Sequence, residues 1–265
     1  MRNLIKEFVA EPFSFEKILY RVKILQDDNS SQEKVLVILG ATSTGKSSLA
    51  IRLAEILRTE IISADSMAVY KNFNVGTAKP TVDELKKIPH HLINILEPEE
   101  KFSVVEFVNR AEKIISEINL QKKIPVVVGG TGLYIQALLE GYKFDTSKSK
   151  KKFFAESGKL RYNALVLGLT VNRAELYRRI DSRTKKMFDN GLVEEVQKIL
   201  ESGISPNAQA MLGIGYKEVL EYLKGNLTLE ETISEVAKNT RNFAKRQLTW
   251  YRRMNYIKWF STNEE

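Results

Sequence analysis

The sequence predicts an α/β fold, a parallel sheet with flanking helices and a helical C-terminal part. Three observations lead there. Short apolar runs at 35–39, 60–64, 124–128 and 164–169 alternate with amphipathic stretches, which implies strand–helix–strand units and parallel pairing. The first run ends in G-A-T-S-T-G-K-S at 40–47, which fills the phosphate-binding pattern G-x-x-x-x-G-K-[ST] at every fixed position and makes the sheet P-loop NTPase-like. Beyond residue 170 the pattern is almost wholly helical.

Residues 1–33 are charged, with Leu4, Phe8, Phe13 and Ile18 at helical spacing and a polar stretch at 26–33; they read as an amphipathic extension and a linker. The core then spans 34–141. After the phosphate loop, Leu49, Ile51, Leu53, Ile56 and Leu57 are expected on the buried side of a helix, and the strand at 60–64 delivers Asp65 and Ser66 beyond its carboxyl end. In open parallel sheets that is where ligands bind, so Asp65 is expected to face the loop. Residues 67–80 lack periodicity and read as a loop over the site. Thr81 with Glu84, and Ser103 with Glu106, form capping boxes that open two helices, the second presenting Val104, Val108, Ala111, Ile115 and Ile118 on one face. His90 and His91, the only histidines, have no further His or Cys to join them, so packing and hydrogen bonding are expected of them rather than metal binding.

The strand at 124–128 is followed by Gly129-Gly130-Thr131-Gly132, where an ATP-driven motor would place a Mg²⁺-holding acid. The glycines instead imply close backbone approach to a ligand, with Thr131 and Tyr134 available for polar contacts. Residues 142–163 form a basic connector, readable as a solvated link or as an electrostatic guide for nucleic acid. From 164 to 265 the core resumes. Asn172 and Glu175 cap a helix carrying Arg173, Arg178, Arg179 and Arg183, which is either a solvated face or a clamp on a leaving phosphate. A helix follows Gly215-Tyr216, Thr228 and Glu231 cap a long final helix, and 256–260 is expected to be an edge strand. The long helix ends K-R-Q-L-T-W-Y-R-R at 245–253, a mixture of cations and flat groups suited to unpaired nucleic acid, and also compatible with an amphipathic helix around a core Trp.

In the loop, the backbone N–H groups of Gly40, Thr42, Ser43, Thr44 and Gly45 can converge on an anion, aided by the positive end of the next helix. Lys46 adds a mobile cation and Ser47 a hydroxyl suited to Mg²⁺. A formal charge of +8, from 41 Lys+Arg against 33 Asp+Glu, favours a polyanionic partner. No apolar run approaches a membrane span, no signal peptide is recognisable, and the absence of cysteine excludes disulfides and thiolate metal sites, which fits the cytoplasm.

In order along the chain, GATSTGKS at 40–47, ISADS and VYKNFNVGTAKP within 62–80, PHHL at 89–92, PVVVGGTGLY at 125–134, NRAELYRRIDSR at 172–183, IGYKE at 214–218 and KRQLTWYR at 245–252 resemble the tRNA dimethylallyltransferases. The resemblance implies that the loop holds the diphosphate of dimethylallyl diphosphate, with Mg²⁺ on Ser47. Asp65 is then the general base toward a tRNA adenosine next to the anticodon, and Arg183 the guanidinium on the leaving group. It further implies that Ser66, Met67, Ala68, Thr77, Thr131 and Gly132 position substrates. Gly215, Tyr216, Lys245, Arg246, Gln247, Trp250 and Arg252 would hold the anticodon loop. Expected partners are tRNA and dimethylallyl diphosphate, with no membrane, for a chain acting as a monomer.

The sequence departs from the family pattern at one place. Family members typically insert a helical domain with an N-D-x-x-R-x-x-R-A-L-E stretch between the GGTGLY segment and the arginine helix; here only the connector at 142–163 stands there. The departure bears on how tRNA is held, since the phosphate, base and leaving-group residues are all retained. A transferase acting on free adenine nucleotide, a small-molecule P-loop kinase and a non-enzymatic tRNA-binding protein are the rival readings.

Overall fold

The computed structural model describes residues 10–144, 153–154 and 159–263. In chain order the elements are β1 (Glu11–Pro12), α1 (Phe15–Asp27), β2 (Lys34–Gly40), α2 (Lys46–Leu57), β3 (Ile61–Ser63), α3 (Val82–Lys87), β4 (His90–His91), α4 (Val104–Leu120), β5 (Val126–Gly129) and α5 (Gly132–Leu139). A two-residue antiparallel pair, β6 (Lys143–Phe144) with β7 (Phe153–Phe154), precedes β8 (Asn163–Thr170), α6 (Arg173–Asp189), α7 (Leu192–Glu201), α8 (Tyr216–Leu223), α9 (Leu229–Tyr251) and β9 (Lys258–Ser261).

Seven strands form one sheet in the order β1-β9-β8-β2-β5-β3-β4, every neighbouring pair parallel. In the central strand β2, alternate residues serve opposite faces, as the period of two requires. Val35, Val37 and Leu39 pack with α4 and α5 residues such as Phe107, Ile115 and Leu138, whereas Leu36 and Ile38 pack with α1 and α2. Both faces are therefore covered, which is why the strand reads as an unbroken apolar run. A third cluster joins Val69, Tyr70 and Phe73 to α7 and α8 beyond the carboxyl ends of the strands.

The predicted caps form. Thr81, Ser103 and Thr228 each make a reciprocal capping box with the acid three residues on, and Asn172 accepts from the Glu175 N–H. The buried face of α2 is Leu49, Ala50, Leu53 and Ala54; Ile51 and Leu57 are only partly covered and Ile56 is 51% exposed, because the 3.6-residue period turns them off the sheet.

Two expectations change at the N-terminal side. Residues 15–27 form a helix whose Ile18, Val22 and Leu25 are buried against the α2 face of the sheet, each contributing roughly 1.5–3 kcal/mol of apolar burial. Leu4 and Phe8 lie outside the described residues, and Phe13 is 40% exposed. Ahead of this helix, Glu11 and Pro12 pair with Phe260 and Ser261, so β9 lies inside the sheet and β1 is the edge. A two-residue strand containing proline has no apolar alternation to betray it, and only an edge tolerates the missing N–H. Of the connector lysines, Lys148, Lys150, Lys151 and Lys152 lie outside the described residues.

Candidate active site

A crevice of about 410 Å³ opens at the carboxyl ends of β2, β3 and β5, walled by the phosphate loop, residues 63–68 and 76–80, and parts of α6, α8 and α9. Its floor follows from β5. A Cβ on Gly129 would lie 2.2 Å from the Ala64 carbonyl oxygen, so glycine alone lets β5 end this close to β3. The Thr131 N–H then donates to that same carbonyl (3.2 Å), while its hydroxyl accepts from the Ser66 N–H (3.1 Å).

The phosphate loop is braced from within and from α9. The Thr44 hydroxyl donates to the Ala41 carbonyl (2.9 Å), and Lys46 Nζ rests on the same carbonyl at 3.3 Å. Gln247 is buried and spans two loops: its Oε1 accepts from the Thr42 N–H (3.0 Å) and its Nε2 donates to the Gly130 carbonyl (2.9 Å). The Tyr251 hydroxyl, fully buried, donates to that carbonyl as well (2.9 Å). The Thr262 hydroxyl, just past β9, lies within donating reach of both the Thr170 (3.3 Å) and the Thr44 (3.4 Å) carbonyls.

Lys46, Asp65 and Arg183 meet in this crevice. Enclosure pulls the Lys46 ammonium down to about 8, with Arg183 pushing the same way and Asp65 opposing. Burial likewise lowers Arg183, again opposed by Asp65. Two cations held against a desolvation penalty, with Asp65 the one carboxylate among the residues lining the crevice, form a site short of negative charge, which a diphosphate would supply. Asp65 Oδ1 accepts from the Met67 N–H (2.8 Å) and the Ala68 N–H (3.4 Å), an arrangement that fixes the carboxylate's direction.

The arginine helix divides by face. Arg178 and Arg179 both grip Glu175, holding its carboxyl down to about 2, and Arg179 also donates to the Thr262 carbonyl (2.9 Å). Arg183, one turn beyond Arg179, is the one that enters the crevice.

Of the other predicted residues, Thr42, Ser47, Ser66, Met67, Ala68 and Thr77 reach the cavity, as do Thr131, Tyr216, Arg246 and Gln247. Gly40, Ser43, Thr44 and Gly45 form the loop behind them, Gly45 capping α2 in the left-handed region (φ 90°). Outside the loop, five predicted residues do not line the cavity. Gly132 is covered by the Trp250 indole, Gly215 caps α8, and Lys245 and Arg252 are exposed on α9 and its cap. Trp250 packs inward, with Arg253 5.9 Å from its ring, so the core reading of this Trp holds alongside the cations. Gln247 and Tyr216, expected to meet RNA, have their polar ends occupied inside the protein, the Tyr216 hydroxyl by Glu195 at 2.7 Å.

The histidines bond locally: His90 Nδ1 lies 2.7 Å from the Ile88 carbonyl and His91 Nε2 2.7 Å from Glu60. Among the described residues no cluster of three His, Cys, Asp or Glu forms a metal cage. With the Ser47 side chain open to the crevice, the donors fit a Mg²⁺ that takes most of its oxygens from a phosphate ligand and water.

A family model described as IPP transferase matches residues 68–157 and 144–254. The chain belongs to the IPP transferase family. Among curated IPP transferase relatives, the tRNA dimethylallyltransferase of Carboxydothermus hydrogenoformans is 38% identical over 291 aligned residues, covering 88% of this chain and 93% of the relative. That of Pelotomaculum thermopropionicum is 39% identical, covering 87% and 91%. The crystal structure of the full-length tRNA isopentenylpyrophosphate transferase of Bacillus halodurans matches with a TM-score of 0.78 at 34% identity, over 87% of this chain and 90% of that one. A eukaryotic dimethylallyltransferase acting on tRNA matches with a TM-score of 0.73 at 27% identity, over 83% and 70%. The 291-residue alignment is longer than the 265 residues of this chain, so the relative carries residues that this IPP transferase lacks.

Proposed function

We propose that this chain transfers the dimethylallyl group of dimethylallyl diphosphate to the exocyclic amine of a tRNA adenosine next to the anticodon. The observation that carries the reading is Asp65 facing Lys46 and Arg183 in one crevice, with Gly129-Gly130 where an ATPase would hold an acid. The adenine amine is a weak nucleophile because its lone pair is delocalised into the ring. Asp65 is positioned to take its proton as the bond from nitrogen to the allylic carbon forms. The bond from that carbon to the bridging oxygen breaks, and the diphosphate leaves with the electron pair. Lys46, Arg183 and the loop N–H groups meet the charge that develops on it. A bound Mg²⁺ would supply further neutralisation of the leaving group, with Ser47 the residue to hold it.

The acceptor base enters from the side where Arg246 lines the crevice and Lys245 is exposed beside it, and unpaired loop bases can leave their stack at modest cost. One chain contains all of these groups, so the reaction needs no second copy; it belongs in the cytoplasm with its acceptor. Among the described residues no helix is long and apolar enough to cross a membrane. The test is a transfer assay with allyl-labelled dimethylallyl diphosphate offered tRNA and AMP in parallel, beside a reaction with γ-labelled ATP. Label in tRNA alone is expected. Transfer to AMP alone, or phosphate transfer from ATP, would replace the proposal.

A further inference from the structure

Glu195 has no place in the chemistry above, yet it is among the most heavily hydrogen-bonded side chains near the crevice. It stands on α7, whose Leu192, Val196 and Ile199 anchor the helix in the third cluster. Its carboxylate accepts from three consecutive backbone N–H groups, those of Asn74 (2.9 Å), Val75 (2.8 and 3.0 Å) and Gly76 (3.2 Å), and from the Tyr216 hydroxyl (2.7 Å). Consecutive N–H groups that converge in this way make an anion nest. Here the anion is part of the chain itself.

Tyr216 completes the joint. It is fully buried, its ring centroid lies 4.6 Å from that of Phe73, and a Cβ on Gly76 would sit 2.4 Å from a ring carbon. Residues 76–80 leave this joint directly as a wall of the crevice. At its far end Lys79 Nζ donates to the Tyr70 carbonyl and to Asn94 Oδ1 (2.6 Å); burial lowers the pKa of this ammonium, and Glu195 and, less strongly, Asp65 oppose that. The donor diphosphate belongs to the phosphate loop at Lys46, so a wall that lines the same crevice as Asp65 borders the space left for the acceptor amine.

We propose that Glu195, through Tyr216 and the 74–76 amides, is a positioning residue that sets the 76–80 wall and thereby the alignment of the acceptor base on Asp65, without acting on the donor loop. The proposal rests on the transferase reading above. Glu195→Gln keeps the size of the side chain but turns an NH₂ group toward at least one backbone N–H donor, because both carboxylate oxygens accept from the nest. Tyr216→Phe removes only the hydroxyl.

Three measurements test it. For Glu195→Gln, kcat/KM toward tRNA is expected to fall about 10- to 100-fold, the size of effect an ångström-scale misplacement produces. The KM for dimethylallyl diphosphate and the Kd for inorganic pyrophosphate should change by less than about twofold. Tyr216→Phe should give a smaller loss of the same kind, and the two losses should not multiply in the double variant. In hydrogen exchange, the amides of Asn74, Val75 and Gly76 should exchange faster in Glu195→Gln while those of the phosphate loop do not. An unchanged kcat/KM for tRNA, unchanged exchange at 74–76, or pyrophosphate binding lost in step with activity would overturn the proposal. If Glu195→Gln does not fold, Tyr216→Phe decides by the same readings. The exchange measurement needs no turnover, so it separates a failure of this assignment from a failure of the transferase reading.

Discussion

Gly130 offers one carbonyl to two buried donors, Gln247 Nε2 and the Tyr251 hydroxyl, each at 2.9 Å. That shared acceptor makes a quantitative prediction. Tyr251→Phe leaves Gly130 bonded to Gln247 but takes the hydroxyl from the Gly40 N–H as well, and should cost about 1–3 kcal/mol, the range for a buried donor left without its partner. Gln247→Leu removes two bonds and orphans the Thr42 N–H, for about 2–4 kcal/mol, while Gly130 keeps Tyr251. The double variant strips the carbonyl of both donors. It should therefore be less stable than the sum of the single changes by about 1–3 kcal/mol, the penalty for one unsatisfied buried group. The Gly40 N–H, which also approaches the Tyr251 oxygen, loses its partner in both backgrounds and cancels from the cycle. Urea unfolding of the four proteins, read at constant m, gives the coupling directly. Additivity within about 0.5 kcal/mol would refute the shared-acceptor account.

Asp65→Asn should slow transfer by about two to four orders of magnitude while pyrophosphate affinity is kept, and near-normal single-turnover rates would remove Asp65 as the base. In the free protein Lys46 titrates near 8, below its ordinary 10.5, and a bound diphosphate favours its charged form. Affinity for pyrophosphate, corrected for the ligand's own titration, should therefore weaken above pH 8 by up to about tenfold per unit; calorimetry giving a level corrected profile to about pH 9.5 would contradict this. Lys245→Ala with Arg246→Ala should weaken tRNA binding and reduce the slope of log K against log salt by about 1.4, at roughly 0.7 per phosphate contact on unpaired RNA. An unchanged slope in filter binding would move the grip elsewhere.

What was legible in the sequence is what repeats or what is chemically rigid. The alternation of apolar runs and capped helices predicts the parallel sheet, and the gathering of ligands at the carboxyl ends of such strands predicts Asp65 in the same crevice as the loop. The spacing of Arg179 and Arg183 put both on one face, but only the structure separates their roles, because the sequence does not reveal that Glu175 and Thr262 occupy Arg179. Glu195 left no trace: an acid on an amphipathic helix reads as solvent-facing, and its partners are backbone amides about 120 residues away. Gln247 reaches the crevice as expected, but its amide is spent on two loops, which the sequence does not reveal. Its amide suits a base edge as well as it suits a backbone N–H and carbonyl, and local sequence cannot choose between them.

The braces of the phosphate loop bear on how the protein is made. Thr42 meets Gln247 across 205 residues and the Thr44 carbonyl meets Thr262 across 218, so a ribosome completes the loop about two hundred residues before its supports. Contacts of such long range close slowly and only once both partners exist. A nascent chain that has made the loop but has not yet reached residue 247 carries the phosphate-binding motif without its braces, so a product that stops in that interval would hold a phosphate ligand poorly.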